Sequence, residues 1–275
     1  MRGAREDVLG RPGLGGVEVE NLEESIDGLD GVVVRAHGFL SATAGAAPLG
    51  SLERVPPTLL LADPDTAKDV LTFVGRAGRA GDGGVRLQAS RGVLALTTAV
   101  LSPQTLFDQT PTILAMRIVH ADPELECDLV VDSLSPADTP ERLMLPDTGL
   151  SPSWAGVSPP RQGWTVEASL EASVVAQRAQ WGISAVARGA GAGSAEEAVR
   201  ALRAAIWGEP DDDLGGLPRG VAFAADAMGF ISGEEQVGVS RAGRWSRLAF
   251  RRGHVLARGP VASGLTGVRA TGTRA

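Results

Sequence analysis

Residues 85–101, VRLQASRGVLALTTAVL, carry the pattern that decides the fold. Two runs rich in strand-forming residues flank Ser90–Arg91–Gly92, and a glycine at this point is typical of a tight hairpin turn. Two more such runs follow at residues 110–121 and 126–134, each after a short loop. Parallel strands would need long crossover connections, so the short loops predict an antiparallel sheet in this half of the chain.

A helix is predicted before this sheet, within residues 61–81 (LADPDTAKDVLTFVGRAGRAG). Asp63 is a favourable N-cap, Pro64 suits the first helical position, and Gly78 or Gly81 would end the helix. Apolar residues recur at helical spacing, as expected for a helix that packs against the sheet: Ala67, Val70, Leu71, Val74 and Ala77. Residues 31–44 form an earlier ordered segment whose pattern does not distinguish helix from strand.

The second half predicts three helices followed by a β-meander. The first helix covers residues 167–189, the second begins at the capping box Ser194-x-x-Glu197 and stops at Gly208, and the third covers residues 218–229. Strands are expected at residues 235–240, 244–251 and 254–258, with a hairpin turn at Ala242–Gly243.

These elements predict an α+β protein: an antiparallel sheet with a packed helix, followed by a helical segment and a C-terminal three-stranded β-meander. We expect a flexible acidic N-terminal tail (1–30), a sheet-rich α+β unit (31–145), a Pro/Trp-rich connector (146–164), a helix-plus-meander unit (165–258) and a flexible basic tail (259–275). Trp154 and Trp164 are large apolar side chains, so the connector is expected to pack over the core.

Composition limits the classes of protein to consider. The chain has 275 residues, a formal net charge of −7 and one lysine among 26 basic residues, which is typical of a GC-rich genome. No apolar run is long enough to cross a bilayer and none resembles a secretory signal, so a cytoplasmic protein without membrane contact is expected. The single cysteine, Cys127, excludes an internal disulfide and a four-cysteine zinc site.

Motifs for common catalytic chemistry are missing from the sequence. There is no GxxxxGK[ST] loop, no GxSxG elbow and no HExxH helix, and the glycine run at residues 189–193 follows a helix instead of a strand. The stretch HADPELECD (120–128) gathers His120 with several acids, but it is better explained as an acidic loop with an Asp–Pro turn than as a metal site. The acidic neighbours of Cys127 should raise the pKa of its thiol, which disfavours a nucleophile. No cofactor, metal or catalytic residue is predicted, and enzymatic activity stays uncertain.

One basic stretch stands out in this acidic chain. Residues 241–275 contain eight arginines and no acid, which makes a local anion-binding surface conceivable. Strand alternation places Leu248 and Phe250 in the core and turns Trp245, Arg247 and Arg251 to the other side. With Arg244 and His254 nearby, these residues are the predicted contacts for an anionic partner, either nucleic acid or an acidic protein. The prediction requires an outward-pointing Trp245.

Other interpretations stay open. The arginines are also explained as the solvated face of an exposed sheet. A non-enzymatic binding or scaffold protein is favoured, and the alternative is an enzyme or small-ligand binder with a pocket between the two halves near Trp154 and Trp164. Recognition of DNA by a helix-turn-helix motif is disfavoured. Its third helix would have to present polar side chains to the bases, but this one has alanines, Phe223 and Asp226. The sequence leaves homo-oligomerisation open.

Overall fold

A computed structural model describes residues 58–81, 83–105, 107–191 and 195–259 of the chain. The acidic tail predicted at 1–30, the segment 31–44 and all but the first residue of the basic tail predicted at 259–275 lie outside these ranges. Ser194, the predicted first residue of a capping box, also lies outside them.

Helices and antiparallel strands are both abundant in the described residues, and the predicted α+β class is confirmed. The helices are α1 (Pro64–Ala80), α2 (Ala172–Gly189), α3 (Glu196–Gly208) and α4 (Gly220–Ala227). The strands are β1 (Thr58–Leu60), β2 (Val85–Ser90), β3 (Val93–Leu101), β4 (Thr112–His120), β5 (Cys127–Val131), β6 (Ser135–Pro136), β7 (Arg142–Met144), β8 (Thr165–Glu171), β9 (Pro210–Asp211), β10 (Leu217–Pro218), β11 (Gln236–Ala242), β12 (Trp245–Phe250) and β13 (Gly253–Arg258).

One eight-stranded antiparallel sheet, in the order β5-β2-β3-β4-β13-β12-β11-β8, joins the two halves of the chain. The β2–β3 hairpin turns at Arg91 and Gly92, whose φ angles of 52° and 81° are both left-handed, as a tight hairpin requires. The two halves meet where β4 pairs with β13, with Ala115 opposite Val255. The predicted sheet of the first half and the predicted meander of the second are therefore parts of the same sheet.

Helix α1 forms where the sequence predicts it. The Asp63 side chain accepts a hydrogen bond from the backbone N–H of Thr66 (2.8 Å), and Pro64 begins the helix. The C-cap is Gly81, where a Cβ atom would lie 2.2 Å from the carbonyl oxygen of Ala99 on β3. Glycine therefore allows the end of α1 to approach the sheet closely.

The start of the second half differs from the prediction. Residues 165–171 form strand β8 at the edge of the sheet, and helix α2 begins only at Ala172. The segment EASLE favours a helix by composition, but its pairing with β11, which places Leu170 opposite Val237, overrides that preference. Helix α3 begins at Glu196 with Ala195 in the N-cap position and ends at Gly208 as predicted.

The last helix and the meander agree with the sequence prediction. Gly229 has a left-handed φ of 68° just after α4, and the three C-terminal strands pair in sequence order around the turn at Gly243. None of the described helices is long and apolar enough to span a bilayer.

The two faces of the sheet are covered by different parts of the chain. Helices α1 and α4 pack on β3 and β4, and their apolar sides form the main core. The connector lies on the opposite face, where Trp154 is 4% exposed. Trp154 belongs there to a second apolar cluster: Ala99, Leu114, Val130, Trp154, Trp245 and Leu256. The expectation that the connector packs over the core is confirmed by the burial of Trp154.

Candidate functional site

Strand β12 has the predicted alternation, but its second face is covered. Leu248 and Phe250 are buried in the main core, and Trp245 and Arg247 point to the opposite side. Trp245 is nevertheless only 6% exposed, because the connector packs over it with Trp154. The expectation of an exposed indole at Trp245 is therefore wrong. Alternation along a strand does not reveal whether a distant segment covers the outer face.

Two further arginines of the predicted surface lie in the turns at opposite ends of β12. Arg251 lies in the turn after β12, and its backbone N–H donates to Glu235 (3.0 Å). Arg244 lies in the turn before β12, where its guanidinium donates to the carbonyl oxygen of Gly259 (3.0 Å). A strand rises about 3.3 Å per residue, so roughly 23 Å of chain separates Arg244 from Arg251. Neither of these two exposed arginines lines a cavity with Arg247.

A cavity of about 350 Å³ lies between the sheet and the connector, and it brings together two of the predicted residues, Arg247 and His254. Its floor consists of side chains from both halves of the sheet: Gln88, Ala95, Met116, Ile118, Arg247, His254 and Leu256. Its roof consists of connector residues: Ser158, Pro159, Pro160, Arg161, Gly163 and Trp164. The sequence-based alternative placed a pocket near Trp154 and Trp164, and of these two only Trp164 lines the cavity.

Specific contacts hold the roof over the floor. Arg86 on β2 donates to both carboxylate oxygens of Asp128 (2.8 Å each) and to the carbonyl oxygen of Ala155 in the connector (2.8 Å). At the other end of the roof, the Arg247 guanidinium carbon lies 4.9 Å from the ring centroid of Trp164, a cation–π distance. Both contacts join the connector to the sheet beside the cavity.

Two guanidinium groups line the cavity. Among the residues that the structure describes, the charged side chains in its lining are Arg161 in the roof and Arg247 in the floor. Asp128 is the acid that the contacts place beside it, since it accepts from Gln88 (3.2 Å), but its carboxylate is engaged by Arg86. Guanidinium groups are common binding groups for anions such as carboxylates and phosphates.

His254 is neutral in the folded protein at pH 7. It is 3% exposed, and burial, together with the nearby charge of Arg247, lowers the pKa of its imidazole from 6.5 to about 4. It therefore adds no second positive charge at the floor of the cavity.

This burial predicts a pH-dependent loss of stability. The unfolded chain binds a proton at His254 near pH 6.5 and the folded chain only near pH 4, so stability falls as the pH drops through this window. Between pH 7 and 4.5 we expect His254 to contribute a loss of about 2–3 kcal/mol in the free energy of unfolding. Urea denaturation at both pH values should show a smaller loss for H254Q than for the parent, and an equal loss in the two proteins would contradict this assignment.

The acidic stretch at residues 120–128 runs from the end of β4 through a turn to the start of β5. His120 is exposed at the end of β4, and the Asp122 carboxylate accepts from the backbone N–H of Glu124 (2.8 Å). Within the described ranges, no three metal-ligating side chains converge. Burial, with the nearby charge of Asp128, raises the pKa of the Cys127 thiol to about 11, which leaves little thiolate at neutral pH.

Sequence reasoning missed most of the cavity lining, including Arg161, Met116 and Ile118. The one signal available was Arg161 itself, a basic residue between Pro160 and Trp164 in a segment expected to pack over the core. Met116 and Ile118 were predicted only as part of a strand, because the pairing of β4 with β13 that places them beside His254 joins distant parts of the chain.

Two models of domains of unknown function match the chain. Residues 55–156 match the domain of unknown function DUF8010, and residues 159–262 match the domain of unknown function DUF8185. The two matched segments meet in the connector. No curated protein matches the sequence.

Among solved structures, the chain is similar to bacterial sliding clamps. A DnaN sliding clamp (DNA polymerase III subunit beta) from Bartonella birtlesii, bound to griselimycin, gives a TM-score of 0.42 at 12% identity over 75% of this chain and 65% of that chain. A DNA polymerase sliding clamp from Caulobacter crescentus gives 0.40 at 10% identity over 78% and 69% of the respective chains. One from Bacillus subtilis gives 0.38 at 13% identity over 77% and 67%. The chain thus spans about two thirds of their length, and at these TM-scores no function is inferred from them.

Proposed function

We propose that this protein binds a small anionic ligand in the cavity between the sheet and the connector. The observation that carries the proposal is the cavity itself, which is mostly apolar and has the guanidinium groups of Arg247 in its floor and Arg161 in its roof. A volume of about 350 Å³ lies within the range of small-molecule sites, which are concave and mostly apolar with a few placed polar groups. Anions bind guanidinium groups more strongly in such partly dry sites than on an open surface.

The proposal keeps the anionic partner expected from the sequence but changes how it is bound. Nucleic acid or an acidic protein would need an open surface, and the exposed arginines Arg244 and Arg251 lie at opposite ends of β12. A small ligand needs only the groups that already meet in the cavity. We further propose that residues 31–145 and 165–258 are two structural units of a cytoplasmic protein, and that the site lies where they join. The separate model matches on either side of the connector support this division.

The test uses 1-anilinonaphthalene-8-sulfonate, a small amphipathic anion whose fluorescence rises in an apolar site. We expect saturable binding to the parent, and an affinity at least tenfold lower for R247Q, because a hydrogen bond to a charged group contributes about 1.5–3 kcal/mol. The matched control is R244Q, which removes an exposed arginine outside the cavity and should leave the affinity unchanged. Equal affinity of R247Q and the parent, with both proteins folded by circular dichroism, would refute the cavity as the site.

A single-stranded DNA oligonucleotide tests the rival interpretation. Fluorescence anisotropy is measured with the parent, R247Q and the double variant R244Q/R251Q at low and moderate salt. We expect no salt-sensitive binding that depends on the exposed arginines. Tight binding that falls with salt and is lost in R244Q/R251Q alone would instead assign the function to an open basic surface.

A further inference from the structure

A groove lies between helix α3 and the loop at residues 102–111, which joins β3 to β4. One part of it is a cavity of about 640 Å³, with Ala201 and Ala204 of α3 on one side and Leu101 and Asp108 on the other. A cavity of about 520 Å³ continues it along α3, since Leu101 lines both. Helix α3 packs on α2 and α4, and of its residues, all of which the structure describes, Trp207 alone is buried. The groove therefore has room for a further segment of chain.

The described chain ends beside this groove. Strand β13 places Arg258 opposite Thr112, the first residue of β4 after the loop. The next residue, Gly259, lines a cavity of about 210 Å³ together with Asp108 and Thr110, and these two loop residues also line the groove. The sequence continues with residues 260–275, which we call the C-terminal segment. Sixteen extended residues span roughly 50 Å, so this segment is long enough to cross the groove.

The other end of the described chain lies away from the groove. Leu61, close to the first described residue Thr58, forms a bridge with Ala121 at the far end of β4. Strand β4 has nine residues and therefore separates this end from the groove by roughly 30 Å. Of the two terminal segments outside the described ranges, the C-terminal one begins beside the groove.

The charges of the groove and of the C-terminal segment are complementary. Acids outnumber bases in the groove, which contains three carboxylates and two guanidinium groups: Asp108, Glu196, Glu197, Arg200 and Arg203. Arg203 lies over the ring of Trp207 (5.5 Å to the centroid), at the end of α3 away from Glu196. The C-terminal segment contains Arg269 and Arg274 and no acid. Opposite charges therefore favour its association with the acidic end of the groove.

Apolar side chains on both partners add to this attraction. Phe107, in the loop beside Asp108, is 86% exposed, and Ala201 is exposed on the groove side of α3. The C-terminal segment contributes Val261, Leu265 and Val268. Contact between these groups removes apolar surface from water, which is favourable and depends little on precise geometry.

We propose that the C-terminal segment docks in the groove between α3 and the β3–β4 loop. Its apolar side chains contact Ala201, Ala204 and Phe107, and its arginines lie near Glu196 and Glu197. Docking attaches the exposed side of α3 to the end of the sheet. The interaction is separate from the proposed ligand site, because the groove and the cavity under the connector share no lining residue.

Disulfide formation within the full chain measures this proximity. The variant C127S/A201C/V268C places one cysteine in the groove and one in the C-terminal segment, and glutathione redox buffers give the effective concentration of one thiol at the other. The matched control is C127S/R244C/V268C. The backbone N–H of Gly259 donates to the carbonyl oxygen of Arg244 (3.4 Å), so an undocked segment reaches position 244 at least as readily as the groove.

We expect an effective concentration about tenfold or more higher for the A201C pair than for the R244C pair, because docking holds residue 268 near α3. Raised salt should lower it, since part of the attraction is between exposed charges. V261S/L265S in the A201C pair should lower it several-fold, because these substitutions remove apolar contacts. Variants are compared where circular dichroism matches the parent, and A204C replaces A201C if A201C disturbs the helix.

Three results would overturn the proposal. The first is an effective concentration in the groove no higher than at position 244, which would mean that the segment does not dock there. The second is a disulfide that forms mainly between two molecules, which would assign the groove to a second copy of the chain. The third is an effective concentration unchanged by V261S/L265S, which would show that the apolar side chains make no contact in the groove.

Discussion

Replacing Trp154 with alanine is expected to lower the free energy of unfolding by about 3–5 kcal/mol, the usual cost of removing a buried large aromatic side chain. Trp154 is 4% exposed and packs with Trp245, Leu114 and Leu256 on the face of the sheet opposite the helices. Its indole N–H also donates to the carbonyl oxygen of Gly83 (3.2 Å), which would lose this partner. Because Trp154 belongs to the connector, this loss would show that the connector stabilises the fold.

Urea denaturation of W154A, W154F and W181A measures this effect. Phenylalanine retains much of the apolar volume, so W154F should lose clearly less than W154A. Trp181 is the matched control, since it is also a tryptophan but is 40% exposed, and its removal should cost only about 1 kcal/mol through its contacts with two guanidinium groups. If W154A lowers the free energy of unfolding by no more than W181A does, the connector is not part of the stable core.

The sequence predicted those helices and turns that are stabilised by residues close to each other in the chain. The capping residue and apolar spacing of α1 sufficed for its start, because Asp63 bonds to Thr66 three residues away. The β2–β3 hairpin was likewise predicted from the turn residues Arg91 and Gly92. The α+β class followed from such elements, since short loops between strands leave only antiparallel pairing.

Elements that depend on distant partners were not predicted. Residues 167–171 were expected to be helical, and their pairing with β11 some 65 positions later makes them a strand. Strands β4 and β13 are paired but lie far apart in the sequence. The strand order of the sheet, and its continuity across the two halves, could therefore not be predicted from local patterns. Strand alternation did place Leu248 and Phe250 in the core, but it carried no information about what covers the other face.

The candidate site was predicted in part for the same reason. Arg247 and His254 were singled out from a basic stretch and both line the cavity, whereas Trp245 is buried under the connector and Arg244 and Arg251 lie elsewhere. Arg161 lines the same cavity as Arg247 because the connector folds back over the sheet. Whether any of these residues binds an anion stays a prediction.

A second buried network, centred on Asp211, joins the helices of the second half. Its carboxylate accepts from Arg178 of α2 (3.0 and 2.5 Å) and from Arg219, which precedes α4 (3.1 Å). The Asp211 side chain is 2% exposed, and the two arginine side chains are 21% exposed. Burial by itself would raise the pKa of Asp211, but the hydrogen bonds from Arg178 and Arg219 outweigh it and hold the pKa below 3.8.

The substitution Asp211→Asn should therefore cost about 3 kcal/mol of stability at pH 7, because two partly buried guanidinium groups lose their shared buried anion and keep only the exposed carboxylates of Asp213 and Glu209. D213N is the matched control: Asp213 contacts Arg178 at 3.3 Å but its side chain is 63% exposed, so its loss should cost less than about 1 kcal/mol. The charged form of Asp211 stabilises the fold above pH 3.8, and this contribution is lost as the pH falls through the lower pKa of the folded state. Denaturation at pH 7 and pH 3 should accordingly show a smaller difference between D211N and the parent at pH 3. A difference that is the same at both pH values would mean that Asp211 acts through its shape and not through its charge.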